Sequence, residues 1–182
     1  MGTLRILAGN LKGRTISFPN IPGMRPAESI FRKSLFDTLT SLSLKGKFID
    51  LFSGSGIIGF EALSRGFNKV IFIDENKELT ESIKINAIKL SVVENIYVIC
   101  GSLPSALRMC VFSESDVIFI DPPYQTDIIE DTIDMILSLK MMKSKTLLII
   151  KHSRAKSIEL NGMSVIKRRT FGGSVLSMMK LK

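Results

Sequence analysis

From Lys47 onward the chain alternates short apolar runs with segments of helical spacing. The runs lie at 48–52, 70–73, 96–99, 117–120 and 146–150, and the helical segments at 57–64, 77–90, 104–109 and 128–139. Runs that are apolar on both faces suit the strands of a parallel sheet covered by helices. Two further strands are expected at 163–169 and 175–179. Phe171-Gly172-Gly173-Ser174 predicts a tight turn between them, so a mostly parallel seven-stranded sheet should end in an antiparallel hairpin. Residues 91–95 are too few to hold structure of their own. Ahead of this α/β unit, Leu4, Ile6 and Ala8 alternate, residues 9–13 make a turn, and Thr15, Ile16 and Phe18 resume an extended segment. A small β-hairpin is expected there, carrying Arg5, Lys12 and Arg14. Pro19, Pro22, Gly23 and Pro26 stiffen the connection that follows. A helix is expected over 27–42, with Ile30, Leu35, Leu39 and Leu42 as its apolar stripe and Phe31 and Phe36 beside it. The domain reading is an N-terminal hairpin extension at 1–24 and an α/β domain at 25–182.

Composition narrows the class. The 182 residues are 45% hydrophobic and 23% charged, as in an ordinary globular domain. No apolar run approaches the ~20 residues that span a bilayer, and no secretory signal is read at the N-terminus. No membrane association and a cytoplasmic location are therefore expected, with a monomer as the working form. Cys100 and Cys110 are the only cysteines and His152 the only histidine, which excludes a disulfide scaffold and a multi-histidine metal site in one chain. No metal is expected. The two cysteines are read as small buried hydrophobes, and Met141-Met142 and Met178-Met179 as core filling.

Charge is unevenly placed. Residues 1–47 carry 8 basic and 2 acidic side chains, 48–139 carry 6 and 14, and 140–182 carry 11 and 1. An acidic centre between two basic ends suggests that the ends meet a polyanion. Solubility alone is the plainer alternative.

Asp50-Leu51-Phe52-Ser53-Gly54-Ser55-Gly56-Ile57-Ile58-Gly59 follows the first apolar run and opens a helix. Gly54 and Gly56 lack the Cβ atoms that would keep a ligand off the backbone, and Gly59 permits close helix–strand packing. The same G-x-G-x-x-G spacing serves dinucleotides, and a purely structural turn is also possible. Asp50 tips the choice. A carboxylate there repels a pyrophosphate but can hold an amine, which favours S-adenosylmethionine. Asp74 ends the next strand and can accept both hydroxyls of a ribose; Glu75 is the alternative.

Asp121-Pro122-Pro123-Tyr124 follows the fourth run, at the strand edge where open α/β sheets bind ligands. The prolines fix the backbone and remove two N–H donors. Asp121 and the Pro122 carbonyl then supply two acceptors, and Tyr124 a face for stacking. An exocyclic base amine fits this set. Such an amine is conjugated with its ring, and two acceptors on its N–H groups favour a pyramidal, nucleophilic nitrogen. A proline-stiffened loop with a core tyrosine is the structural alternative.

With these motifs in place, the chain resembles the RsmD-type bacterial methyltransferases, which modify N2 of one guanine in 16S ribosomal RNA. The resemblance spans nearly the whole length. It is carried by Arg5-Ile6-Leu7-Ala8-Gly9, Lys12-Gly13-Arg14, Arg25-Pro26, Arg32-Lys33-Ser34-Leu35-Phe36, the loop at 50–56, residues 59–66, Asp121 to Tyr124, His152-Ser153 and Phe171 to Ser174. It implies a Rossmann-like class I methyltransferase fold with an N-terminal hairpin. It also implies S-adenosylmethionine as cofactor, S-adenosylhomocysteine as product, and 16S rRNA within the 30S subunit or its precursor as partner. Carried over, Asp50, Phe52, Gly54, Ser55 and Gly56 form the methionine-side loop, and Asp74 or Glu75 binds ribose. Ser102 and Leu103 lie toward adenine, and Asp121, Pro122, Pro123 and Tyr124 form the guanine site. Arg5, Lys12, Arg14, Arg25, Arg32, Arg168 and Arg169 are expected on phosphates. His152 is read either as a further RNA contact or as a satisfied, hydrogen-bonded histidine. Three family carboxylates are replaced here, by Ser102, Lys151 and Gly173. A DNA or RNA adenine or cytosine amino-methyltransferase is the nearest rival, and a non-catalytic RNA-binding assembly factor the rival of another class.

Overall fold

The computed structural model describes residues 1–23, 27–110, 115–123, 128–155, 158 and 160–182. Strands β1 (Gly2–Arg5) and β2 (Thr15–Phe18) pair antiparallel as the expected hairpin, with Leu4 opposite Ile16. Helix α1 (Ser29–Ser41) follows. The α/β unit then runs β3 (Lys47–Leu51), α2 (Ile57–Ser64), β4 (Lys69–Asp74), α3 (Lys77–Leu90), β5 (Ile96–Cys100), β6 (Val117–Ile120), α4 (Ile128–Ser138), β7 (Leu147–Ser153), β8 (Met163–Phe171) and β9 (Ser174–Leu181). The sheet order is β5-β4-β3-β6-β7-β9-β8. Its first five strands are parallel, while β9 pairs antiparallel with both β7 and β8. This is the class I, Rossmann-like methyltransferase architecture with its C-terminal hairpin.

Two cores sandwich the sheet. Phe48, Val70, Val117 and Leu147 face α1, α2, α3 and the hairpin, together with Ile6, Ile16, Phe31 and Phe60. Ile49, Ile71, Ile118 and Leu148 face the other side, against α4 and the chain at 103–107. That alternation places every second strand residue on a given face. Asp50, Asp121 and Lys151 therefore lie on the side of α1 and α2.

Several local expectations need correction. Residues 104–109 do not make an α-helix; a short 3-10 helix covers Ser105–Met109. Residues 91–95 do hold structure, a single 3-10 turn at Val93–Asn95. On α1 the buried face is Phe31, Arg32, Leu35, Phe36, Thr38 and Leu39, while Ile30 is 73% exposed and Leu42 also faces solvent. The stripe is displaced because α1 packs through its phenylalanines, with Phe31 edge-on to Phe171 at 5.3 Å. Cys100 is exposed rather than buried. Cys110 is partly enclosed, and burial pushes its thiol up to about 11. The methionine pairs are buried in the core as expected. Among the described residues no helix is long and apolar enough to cross a membrane.

The hairpin is fastened to α2 by polar contacts. Glu61 Oε1 accepts from the Leu7 N–H at 2.8 Å, and Ser64 Oγ accepts from the Leu11 N–H at 2.9 Å. The Asn10 N–H donates to the Ser64 carbonyl at 2.7 Å. Gly9 has φ +86°, and a Cβ there would lie 1.7 Å from the Ser64 carbonyl oxygen. Only glycine permits this approach.

Candidate active site

The strand order reverses direction between β3 and β6. In open α/β sheets the crevice at such a reversal, beyond the strand C-termini, is where ligands bind. The ends of β3, β4, β5, β6 and β7 bring Asp50, Asp74, Ser102, Asp121 and Lys151 to this one edge.

The glycine loop is built from left-handed backbone. Phe52, Gly54 and Gly56 have φ +59°, +52° and +76°. A left-handed phenylalanine costs conformational energy and marks a loop held by its surroundings. Ser53 does much of the holding. Its hydroxyl donates to the Asp50 carbonyl at 2.6 Å and accepts from the Ile73 N–H at 2.9 Å. Its own N–H donates to the Ile73 carbonyl at 3.0 Å. Asp74 completes the frame, its Oδ2 accepting from the Gly54 N–H at 2.8 Å and its Oδ1 from the Asn76 N–H at 2.9 Å. Neither role was expected of these side chains. Gly56 begins α2 without a side chain to cap it, and a Cβ there would lie 2.8 Å from Ile83. Gly59 is equally constrained, since its Cβ would lie 2.1 Å from the Phe72 ring.

Asp50 takes over the missing cap. Its Oδ2 accepts from the Gly59 N–H, in the first turn of α2, at 3.0 Å. The residue is 1% exposed. Burial pushes its carboxyl well above the usual range; the Gly59 N–H opposes this, and Asp121 and Asp74 add to it. The carboxyl expected to be able to hold an amine is thus enclosed beneath the loop, with one oxygen already engaged by Gly59.

At the β5 end, Ser102 donates to Glu75 Oε2 at 2.9 Å. This pair places a carboxylate close to where the family acid is replaced by Ser102. Leu103 is buried in the α4-side core rather than exposed at the edge.

Asp121 follows β6 with Pro122 buried and Pro123 exposed behind it. Lys151 Nζ donates to both Asp121 oxygens, at 3.0 and 2.8 Å. Burial pushes the Asp121 carboxyl up, and the Lys151 charge and hydrogen bonds pull it back. The Lys151 ammonium also sits 5.3 Å from the centre of the Phe31 ring. Tyr124, the expected stacking residue, lies outside the described residues, as does Arg25.

Of the expected phosphate contacts, Arg5 and Lys12 are exposed on the hairpin. Arg14 is also exposed but donates to the Lys89 carbonyl at 2.8 Å, near the end of α3. Arg32 is a correction. It is 3% exposed and donates to Glu61 at 2.8 Å and to the Arg5 carbonyl at 2.9 Å, so it serves the interior. Burial lowers its pKa, with Glu61 opposing. For His152 the structure takes the second of its two readings, the satisfied histidine. It is buried, with its ring nitrogens hydrogen-bonded to the Ser153 carbonyl and to Ser177 Oγ, each at 2.9 Å, which satisfies both and turns it from RNA. Arg168 and Arg169 are successive strand residues, so they leave opposite faces of the sheet. Arg169 reaches Ser34 on α1, whereas Arg168 reaches the Ile158 carbonyl at 3.4 Å. They do not form one patch.

A family model described as Conserved hypothetical protein 95 matches residues 4–180. The chain belongs to this family. It is 35% identical over 155 residues to ribosomal RNA small subunit methyltransferase D of Buchnera aphidicola, covering 84% of this chain and 80% of that one. Identity to the protein of the same name from Haemophilus influenzae is 29%, over 94% of this chain and 90% of that one. The solved structure of yhhF from Escherichia coli superposes with a TM-score of 0.85 at 21% identity, covering 100% of this chain and 99% of that one. The fold and these relatives make the chain an S-adenosylmethionine-dependent methyltransferase. The edge fits that cofactor. Asp74 retains lone pairs on both oxygens for a vicinal diol, and the loop at 50–56 carries acidic and neutral residues only, with no cation for a pyrophosphate. Among the described residues no cluster of side chains is arranged to hold a metal ion.

Proposed function

We propose that this enzyme methylates the exocyclic N2 amine of a guanine in 16S ribosomal RNA, on the 30S subunit or an assembly intermediate. The observation that carries the amine chemistry is Asp121, which stands across the strand reversal from the glycine loop. The rRNA assignment is supported by the likeness to ribosomal RNA small subunit methyltransferase D over most of the chain.

S-adenosylmethionine, when bound, supplies the electrophilic methyl group, whose bond to sulfur breaks as the bond to nitrogen forms, and leaves as S-adenosylhomocysteine. Asp74 accepts from ribose hydroxyls, and the backbone at 52–56 receives the amino-acid end above the buried Asp50. Ser102, with Glu75 behind it, borders the adenine. Asp121 and the Pro122 carbonyl take the two N–H groups of the target amine, and Tyr124 covers the base. The chain's part is orientation and electrostatic stabilisation, with no covalent enzyme intermediate. As the new N–C bond forms, positive charge gathers on the amine nitrogen, and the Asp121 carboxylate faces it. The surplus amine proton leaves to water after transfer. The base must be unstacked to reach this site, so an exposed guanine in a folded particle is the fitting target.

The test is incubation with labelled methyl donor and naked 16S RNA, unmethylated 30S particles, or DNA, followed by nucleoside analysis. The expected product is N2-methylguanosine, with the 30S particle preferred. Methyl on a ring carbon or a ribose oxygen overturns the amine chemistry. Methyladenine or methylcytosine in DNA overturns the substrate.

A further inference from the structure

Strands β6 and β7 are parallel neighbours in which Ile120 pairs with Ile150. The next residue of each strand, Asp121 and Lys151, therefore stand side by side on the α1 face. The Lys151 ammonium bridges both Asp121 oxygens, at 3.0 and 2.8 Å, with side-chain exposures of 15% for the lysine and 25% for the aspartate. Its other close neighbour is the face of Phe31, 5.3 Å away. Phe31 in turn packs on Phe119 and Phe171, at 6.2 and 5.3 Å. An ammonium held by two oxygens and seated on an aromatic cluster has one position.

We infer that Lys151 is a positioning residue for methyl transfer: it fixes the plane of the Asp121 carboxylate and keeps it anionic, leaving its remaining lone pairs to the substrate amine. This rests on the proposed role of Asp121. A carboxylate offers about four lone-pair sites. Lys151 occupies one on each oxygen, and the amine needs one. The groups facing Asp121 from the packed elements are few among the described residues. β7 presents Lys151, β3 presents Asp50, and α1 presents the uncharged Phe31 ring. Remove the lysine, and Asp121 is left in an enclosed place without the cation that bridges its oxygens. Burial, which Lys151 opposes in the wild type, then acts to retain a proton on Asp121. A protonated Asp121 presents an O–H donor to an amine that must itself donate, and acceptance at that oxygen is lost.

The experiment compares wild type, Lys151→Met, Lys151→Arg, Asp121→Asn and Asp121→Ala as full chains. The Asp121 carboxyl is followed by ¹³C NMR against pH, identified as the resonance absent from Asp121→Asn. Turnover is measured over the same pH range with S-adenosylmethionine and unmethylated 30S particles. In Lys151→Met the Asp121 titration should move up by about one pH unit or more. The acid limb of kcat should move with it, while KM for S-adenosylmethionine stays near wild type. Lys151→Arg should restore both. Should Lys151→Met not fold, Lys151→Gln carries the same test. An Asp121 titration that is the same with and without the lysine charge overturns the inference. Wild-type turnover in Asp121→Ala, which unlike Asp121→Asn keeps no side-chain acceptor, instead overturns the acceptor reading beneath it, so the two failures are told apart.

Discussion

Asp50 is a carboxyl group whose place in the fold works against its charge. It is enclosed, it caps α2 through the Gly59 N–H, and burial raises its pKa. The charged form is therefore penalised in the folded protein but not in the unfolded chain. Its contribution to stability is complete below the ordinary carboxyl pKa of about 3.9 and is lost as pH rises through the raised folded value. Asp50→Asn keeps an acceptor oxygen for Gly59 and discards the charge. The variant should melt above wild type at pH 7–8, with the difference closing toward pH 4. In a chain of this length ~1 kcal/mol moves Tm by roughly 2–4 °C, so thermal scans resolve it. A variant less stable than wild type at pH 7 would refute the account. Calorimetry on the same proteins should show S-adenosylmethionine binding wild type more tightly than the variant, and NAD binding neither. The sequence made Asp50 conspicuous by its spacing from Gly54. It did not reveal the capping role, because that depends on which face of β3 packs against α2.

At the scale of elements, the joint between the hairpin, α1 and α2 turns on Glu61. It is wholly buried, and its Oε1 receives the Leu7 N–H and the Arg32 guanidinium while Oε2 lies 3.4 Å from Arg65 Nε. Glu61→Gln retains the shape but leaves the buried Arg32 without its countercharge. Such a loss costs about 3–5 kcal/mol. The melting temperature should fall by roughly 6 °C or more, and limited proteolysis should cut first within residues 1–23. Uniform resistance of the hairpin in this variant would show that apolar packing of Ile6 and Ile16 suffices. This joint was the least legible part of the sequence. Arg32 stands in a basic segment and reads as a phosphate contact, because the partner that buries it is 29 residues away and nothing local announces the pairing. The strands were legible for the opposite reason: an apolar run flanked by turns declares its own burial. The glycine loop fell between these cases. Its glycines were plain, but the bonds that hold its shape, between Ser53 and Ile73 and from Gly54 to Asp74, run to a neighbouring strand.

For the whole molecule, the net charge of +8 conceals an acidic middle segment and two basic ends. Folding brings Asp50, Asp74, Glu75 and Asp121 of the middle segment to the C-terminal edge of the sheet and leaves Arg5 and Lys12 exposed on the hairpin. Arg5→Ala with Lys12→Ala should weaken binding to 30S particles and lower the slope of log affinity against log salt by about two, with S-adenosylmethionine affinity unaltered. A salt slope identical to wild type would remove the hairpin from the RNA-binding surface. Among the described residues strand β8 has a neighbour on one side only; it bulges between Val165 and Lys167 and exposes Val165 and Ile166. Unpaired strand edges recruit other strands, and charged residues and bulges are the usual deterrents. Lys167, Arg168 and Arg169 follow directly on those two apolar residues. Their removal would open β8 to sheet-to-sheet stacking between molecules, so a neutralised β8 should be checked for self-association by light scattering before any weakened RNA binding is ascribed to lost phosphate contacts.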